Sequence, residues 1–282
     1  MKVIEDKHEL QEELAGWRHA RERVAIVPTM GNLHMGHVSL VDVAKEHAER
    51  VVVTVFVNPT QFAAGEDFET YPRTFDKDTR RLRTVAADVL FKPSTETVYP
   101  FGIESATTVT VPGLTENFCG SSRPGHFDGV TTVVARLFAL VRPDVAVFGQ
   151  KDFQQQLVIK RMVEDLHLPM TIVTAPTIRE DDGLAMSSRN NYLSDDEREK
   201  APVLYQALVD VERQLRDGVG DFDALEQRAR NKLERAGFLP EYVAVRRAAD
   251  LGPPEEGCRE LVVLAAANLG RARLIDNVLV AL

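Results

Sequence analysis

Residues 23–57 read RVAIVPTMGNLHMGHVSLVDVAKEHAERVVVTVFV, and this stretch decides the fold. Residues 23–28 form an apolar run that is typical of a buried strand, and residues 51–57 form a run rich in β-branched side chains. A strand that is apolar on both faces indicates a parallel sheet covered by helices on each side. Residues 37–48 have a helical pattern between the two runs, so the stretch predicts a βαβ unit.

The same alternation continues along the first 177 residues. Strands are predicted at 88–91, 144–148 and 170–175. A helix is predicted from Val130, because apolar residues recur there at the i, i+3, i+4, i+7 spacing of an amphipathic helix. The pattern predicts an α/β fold, with a doubly wound, Rossmann-like parallel sheet over residues 1–177.

The pattern changes after residue 177. Ser194 and Glu197 have the spacing of a capping box and predict the start of a long helix. A second helix is predicted at 222–236, and Gly237 is placed to end it. Strands are predicted at 241–245, 261–267 and 273–280. Residues 178–282 are therefore expected to form a second, smaller α+β domain.

The composition limits the classes of function. The chain has 282 residues, 44% hydrophobic and 27% charged, which is a globular mixture. Its formal net charge of −9 disfavours binding to nucleic acid or to anionic membrane surfaces. No apolar run approaches the roughly 20 residues of a membrane span. The start of the sequence lacks the apolar core of a signal peptide. We expect a cytoplasmic protein that acts on small molecules.

The segment PTMGNLHMGH at residues 28–37 leaves a predicted strand and enters a helix. Gly31 and Gly36 allow a close approach of the backbone, and the start of a helix offers N–H groups to anions. His34 and His37 are one helical turn apart, so both imidazoles can point at one phosphoryl group and donate to its oxygens. The alternatives are two structural histidines in a loop, or two zinc ligands.

Other polar segments follow predicted strands or lie at the predicted domain junction. Residues 56–62 (FVNPTQF) carry Gln61, whose neutral amide suits hydroxyl or carboxylate recognition. Residues 148–152 (FGQKD) place the ammonium of Lys151 at a helix start, and residues 179–190 (REDDGLAMSSRN) form a polar, mobile-looking loop. Each segment alone is also compatible with an ordinary turn. Because the carboxyl ends of parallel strands meet at one sheet edge, their combination favours a nucleotide site.

Five segments together resemble the pantothenate synthetase (pantoate–β-alanine ligase) family of the HxGH nucleotidylyltransferase superfamily. They are residues 28–37, 56–62, 123–130 (RPGHFDGV), 148–155 (FGQKDFQQ) and 179–190, in the order of that family. The resemblance implies ATP-dependent condensation of (R)-pantoate with β-alanine through an enzyme-bound pantoyl adenylate, giving pantothenate, AMP and pyrophosphate. It also implies Mg²⁺ as a cofactor, without identifying protein ligands for the metal, and a homodimer.

The resemblance also implies roles for individual residues. His37, His34 and Lys151 are expected to be catalytic. Gln61 and Gln155 are expected to bind pantoate, and Gln61 also β-alanine. The expected ATP-binding residues are Met30, Gly31, Asn32, Leu33, His34, Met35, Gly36, His37, Gly149, Gln150, Lys151, Asp152, Ile178, Met186, Ser187, Ser188 and Arg189.

Three other functions share parts of these motifs. One is a transferase that moves an adenylyl group to a phosphate acceptor, but Gln61 and Gln155 are neutral where such an acceptor favours Arg or Lys. Another is an enzyme similar to aminoacyl-tRNA synthetases, which the net charge of −9 disfavours. The third is a non-catalytic nucleotide sensor, which the histidine pair together with Lys151 disfavours.

Overall fold

The computed structural model describes residues 1–63, 66 and 68–282. The chain forms two compact units. The first contains Met1–Gly149 and Val158–Ala175, and the second contains Gln150–Leu157 and Pro176–Leu282. A division into independent domains at 177/178 stays a prediction.

The first unit is built on a six-stranded parallel sheet in the order β1-β4-β3-β2-β5-β6. The strands are β1 (Lys2–Ile4), β2 (Val24–Thr29), β3 (Arg50–Val55), β4 (Val89–Phe91), β5 (Val145–Gly149) and β6 (Thr171–Ala175). The helices up to residue 165 are α1 (Lys7–His19), α2 (Met35–His47), α3 (Phe75–Thr84), α4 (Thr95–Val98), α5 (Cys119–Ser122), α6 (His126–Val141) and α7 (Phe153–Asp165).

The central strands are buried on both faces, as their apolar runs predict. Val51, Val52 and Val53 of β3 are fully buried, although successive residues of a strand point to opposite faces. One face packs against a core that includes Leu40, Val41 and Ala44 of α2. The predicted doubly wound α/β fold is confirmed.

The order of strands creates a switch point beside β2. The chain runs outward from β2 through β3 to β4, and then returns to β5 on the other side of β2. In open α/β sheets, ligands bind outside the carboxyl ends of the strands at such a point. Here those ends are Thr29 and Gly149.

The second unit contains an antiparallel sheet in the order β7-β8-β9. Its strands are β7 (Leu239–Arg247), β8 (Glu260–Leu269) and β9 (Ala272–Ala281), and its helices are α8 (Asp195–Lys200), α9 (Val203–Arg216) and α10 (Phe222–Arg235). The apolar faces of α9 and α10 pack against the sheet, which confirms the predicted smaller α+β part.

The helix predicted to begin at Ser194 differs in length. Its capping box is present, because the Ser194 hydroxyl accepts from the Glu197 N–H and the Glu197 carboxylate accepts from the Ser194 N–H. The expected long helix is instead two helices, α8 and α9, separated by Ala201 and Pro202. Pro202 has no N–H to continue the hydrogen-bond ladder, so the chain restarts there. Among the described residues, no helix has the length and apolarity required to cross a bilayer.

Candidate functional site

His34 and His37 form the cap of α2. His34 is the N-cap residue, and its Nδ1 accepts from the Gly36 N–H at 3.1 Å. His37 reaches back, so that its Nδ1 accepts from the His34 N–H at 3.3 Å. The two ring centroids lie 4.1 Å apart. The predicted convergence of the two imidazoles is therefore present.

This cap fixes the tautomer of both rings. A nitrogen that accepts a main-chain hydrogen bond carries no proton, so a neutral imidazole with this contact has its proton on Nε2. The cap therefore orients two Nε2–H donors at a helix N-terminus, where an anion is also favoured by the helix dipole. Such a site can stabilise negative charge developing on a phosphoryl group.

The loop before α2 is held by a buried carboxylate that the sequence pattern did not identify. Asp78 of α3 is 1% exposed, and its oxygens accept from the N–H groups of Asn32 and Leu33 at 2.9 and 2.8 Å. Gly31 has φ of +85°, and a Cβ there would lie 3.2 Å from Asp78 Oδ2. Glycine thus permits the close approach that lets Asp78 bind residues 32 and 33.

Gln61 lies in the same unit and contacts the same loop. It is 9% exposed, its Nε2 lies 3.1 Å from Met30 Sδ, and its Oε1 accepts from Asn58 Nδ2 at 3.1 Å. The Tyr99 hydroxyl donates to Asn58 Oδ1 at 2.7 Å. Burial raises the pKa of the Tyr99 phenol, which keeps that donor protonated. The Gln61 amide is therefore oriented by a buried polar network.

The main chain of Gln61 is fixed from the segment 123–130. His126 Nδ1 donates to the Gln61 carbonyl at 2.8 Å, and Arg123 pairs with Glu66 through two contacts of 2.6 Å. Desolvation is the largest single influence on Glu66 and opposes its ionisation, but the hydrogen bonds and positive charge of Arg123, with the Ala63 N–H, together outweigh it and lower the pKa of this carboxyl. Residues Pro59–Gln61 form a 3-10 turn. A Cβ at Gly129 would lie only 2.3 Å from the Thr60 carbonyl oxygen, so glycine is required where α6 meets this turn.

The remaining predicted site residues, except Gly149 at the end of β5, belong to the second unit. Gln150, Lys151 and Asp152 form a 3-10 turn directly before α7, which also carries the half-buried Gln155. A cavity of about 10 Å³ is lined by Lys151 together with Ser187, Asn190 and Asp276. The structure thus brings Lys151 and Ser187, which belong to two separate predicted segments, to one cavity.

Residues 178–186, the first part of the polar segment expected to form a loop, form a hydrogen-bonded hairpin. The N–H of Met186 donates to the Ile178 carbonyl at 2.9 Å, and Arg179 pairs with Ala185 in a β-bridge. Ser187 then caps a 3-10 turn over Ser188–Tyr192, where its hydroxyl accepts from the Arg189 N–H at 3.2 Å. The hairpin gives residues 186–189 a defined backbone.

Asn190 adds a buried acceptor to the cavity. Its Nδ2 donates to the Ala185 carbonyl at 3.1 Å. Its Oδ1 has no hydrogen-bond partner within the described part of the chain.

A protein-built metal cage is not found among the described residues, which contain no group of three His, Cys, Asp or Glu side chains able to hold a metal. The zinc interpretation of His34 and His37 therefore gains no third ligand within residues 1–63, 66 and 68–282. Their Nδ1 atoms are instead used in capping α2.

Comparison with known proteins gives one consistent family. The family model described as pantoate-beta-alanine ligase matches residues 2–279. The pantothenate synthetase of Methylococcus capsulatus is 53% identical over 282 residues, covering 100% of this chain and 99% of the relative. That of Stutzerimonas stutzeri is 51% identical over 280 residues, covering 99% and 98%.

Crystal structures of similar proteins agree with these sequences. Pantothenate synthetase from Thermus thermophilus has a TM-score of 0.92 and 44% identity, covering 99% of both chains. A pantoate-beta-alanine ligase from Francisella tularensis, complexed with beta-gamma ATP and beta-alanine, has a TM-score of 0.78 and 31% identity, covering 99% of this chain and 97% of that one.

Proposed function

This chain belongs to the pantoate–β-alanine ligase family and joins pantoate to β-alanine at the expense of ATP, and we propose that it does so through an enzyme-bound pantoyl adenylate. The observation that carries the proposal is the pair of capped histidines at the start of α2, which suits a phosphoryl group. The proposed products are pantothenate, AMP and pyrophosphate.

The chemistry requires activation of the acid. A carboxylate is a poor acylating agent because oxide would have to leave. In the proposed first step, a carboxylate oxygen of pantoate bonds to the α-phosphorus of ATP, and the bond from that phosphorus to the bridging oxygen breaks with release of pyrophosphate. In the second step, the nitrogen of the neutral β-alanine amine bonds to the acyl carbon, AMP leaves with the former carboxylate oxygen, and the nitrogen loses a proton to water.

His34 and His37 serve the first step as hydrogen-bond donors in this proposal. Their Nδ1 atoms accept main-chain hydrogen bonds, which supports neutral rings that donate from Nε2 to the α-phosphate and the leaving pyrophosphate. Displaced pyrophosphate hardly needs a proton at neutral pH, so electrostatic stabilisation is the proposed role, and proton donation by His37 is not required. Residues 30–33, 35 and 36 hold the nucleotide in this loop.

Lys151 provides the cationic donor. We assign residues 149–152 to the adenosine, with the ammonium of Lys151 also reaching phosphate. Ile178 contacts adenine, and residues 186–189 lie over the triphosphate. Lys151 and Ser187 line one cavity and are therefore neighbours, which supports the assignment of both to ATP.

Gln61 and Gln155 are assigned to pantoate, and Gln61 also to β-alanine. The buried network around Gln61 supports this role. The side-chain oxygen of Gln61 accepts from Asn58 and its main-chain carbonyl accepts from His126, so the amide has a defined orientation toward a hydroxyl or carboxylate. Gln61 and Gln155 are both neutral, which suits an adenylyl acceptor whose reacting group is a carboxylate and not a phosphate.

Mg²⁺ is proposed to arrive with the nucleotide. The described residues offer no cluster of three metal ligands. Mg²⁺ does not require such a cluster, because it is commonly held by substrate phosphates and water. When bound, Mg²⁺ offsets the charge of the triphosphate. From the family resemblance we also propose a homodimer located in the cytoplasm, where ATP is supplied; sedimentation equilibrium tests the dimer.

Exchange of pyrophosphate into ATP tests the proposed function. With ATP, Mg²⁺, pantoate and labelled pyrophosphate, but no β-alanine, label should enter ATP. Addition of β-alanine should then give AMP and pantothenate. A dinucleotide product would indicate the nucleotidyl transferase, and absence of exchange under conditions of full turnover would contradict the separate adenylation step.

A further inference from the structure

Two consecutive polar residues are buried in β9. Asp276 and Asn277 are 3% and 2% exposed, opposite Ala265 and Leu264 of the neighbouring strand. Burial of a carboxylate and an amide is costly unless both are hydrogen-bonded. Their partners therefore show what this part of the strand positions.

Asn277 binds the main chain of the turn that carries Lys151. Its Nδ2 donates to the carbonyls of Gln150 and Lys151 at 2.9 and 3.0 Å. Its Oδ1 accepts from Gln150 Nε2 at 3.2 Å. One side chain thus holds two consecutive peptide groups, which sets the direction in which the Lys151 side chain leaves the backbone.

Asp276 binds the base of the hairpin that leads to residues 186–189. Its carboxylate accepts from two nitrogens of Arg179 at 2.6 and 3.0 Å, and from the Asn277 N–H at 2.8 Å. Arg179 also donates to the Gly183 carbonyl at 3.1 Å and lies 3.6 Å from the ring centroid of Tyr205. The guanidinium therefore joins the first arm and the turn of the hairpin to β9.

Successive residues of a strand point to opposite sides, which allows one strand to hold two different segments. Asp276 reaches the hairpin, and Asn277 reaches the turn before α7. The cavity lined by Lys151, Ser187 and Asp276 shows that the two held segments meet beside β9.

We propose that Asp276 and Asn277 are positioning residues for the adenylation step: Asn277 orients Lys151, and Asp276 orients residues 186–189 through Arg179. The inference rests on the proposed function, because that function assigns Lys151 and residues 186–189 to ATP. Neither β9 residue touches substrate in this scheme. Each acts through a residue that does.

The test compares Asn277→Ala, Asn277→Asp and Asn277→Ser with the control Asn268→Ala. Asn268 lies in the same sheet but donates to the Glu241 side chain at 3.1 Å. Aspartate keeps the shape of Asn277 but lacks the donor to the two carbonyls, whereas serine offers one donor. Pantoate-dependent exchange should fall about tenfold to a hundredfold for alanine and aspartate, less for serine, and not for the control.

A double-mutant cycle separates positioning from general destabilisation. If Asn277 acts through Lys151, then Lys151→Ala combined with Asn277→Ala should be no slower in exchange than Lys151→Ala alone. Reaction of prepared pantoyl adenylate with β-alanine should be nearly unchanged in Asn277→Ala. Circular dichroism at the assay temperature establishes that each variant is folded.

The outcomes are distinct for the two proposals. Losses that multiply in the double variant, or a folded Asn277→Ala with the wild-type exchange rate, would overturn the positioning role. Wild-type protein that turns over without pantoate-dependent exchange would instead overturn the proposed adenylation step. Asp276 is tested separately. Asp276→Asn should raise the KM for ATP. An unchanged KM in the folded variant would exclude a positioning role for Asp276.

Discussion

At the scale of single residues, His37 has two nitrogens with different tasks. Nδ1 caps α2, and Nε2 carries the proton proposed to face phosphate. Glutamine places an amide nitrogen near the position of Nε2, whereas asparagine places an oxygen near that of Nδ1. We expect His37→Gln to keep exchange within about tenfold of wild type, and His37→Asn to lose about 10²–10³ in rate, the scale of a lost transition-state donor.

The matched control for His37 is His47→Gln, at the exposed end of the same helix. It should exchange at the wild-type rate. Equal activity of the glutamine and asparagine variants of His37 would contradict the separate tasks of its nitrogens.

Lys151 is expected to act in adenylation only. Lys151→Ala should lower pantoate-dependent exchange by about 10²–10³, because a cationic transition-state donor is removed. Reaction of supplied pantoyl adenylate with β-alanine should change little. Lys160→Ala, an exposed position of α7, is the control; a loss confined to the β-alanine step would show that Lys151 is misassigned.

At the scale of elements, α3 supports the loop before α2 through Asp78. In Asp78→Asn, the amide group faces a main-chain N–H that the carboxylate accepted, so a donor meets a donor. We expect about 1–3 kcal/mol lower free energy of unfolding and a higher KM for ATP. Chemical denaturation and initial rates measure these, and Asp76→Asn, exposed in the same helix, should leave both unchanged.

Arg50 links the ends of three elements and gives stability a dependence on pH. It donates to Glu22 after α1 and to Asp88 before β4, and the hydrogen bond from Arg50 lowers the pKa of Glu22 below its ordinary value of 4.5. A lowered pKa stabilises the fold above pH 4.5, and that contribution is lost as pH falls through the folded-state pKa.

Wild type should therefore have a higher melting temperature than Glu22→Gln at neutral pH. The difference should shrink as the pH is lowered below about 4.5. The exposed Glu12→Gln is the control. A difference that stays constant from pH 7 to pH 3 would show that the ion pair does not contribute in this way.

How much of these elements the sequence could predict depends on contact range. The runs at 23–28 and 51–57 predict buried strands because the apolar pattern of such a strand lies within a few consecutive residues. Short β1 and polar α3 carry too little apolar pattern to be recognised. The roles of Asp78 and Asn277 escaped prediction because their partners lie 46 and about 126 residues away, and no local pattern encodes such a contact.

At the scale of the whole molecule, family membership covers residues 2–279, whereas the diagnostic motifs end at residue 190. The later part nevertheless carries the side chains that hold the turn with Lys151 and the hairpin at 178–186. A variant that replaces both Asp276 and Asn277 by alanine should therefore lose adenylation even though every motif residue is intact. Single-turnover release of pyrophosphate measures this loss.

Transfer of oxygen from pantoate to AMP tests the central proposal most directly. Pantoate labelled with ¹⁸O in both carboxylate oxygens is converted with ATP and β-alanine, and the AMP is examined by mass spectrometry. If the carboxylate attacks the α-phosphorus, each AMP formed carries one ¹⁸O and the new amide carbonyl retains the other. AMP without label, formed in step with pantothenate, would contradict the adenylate pathway.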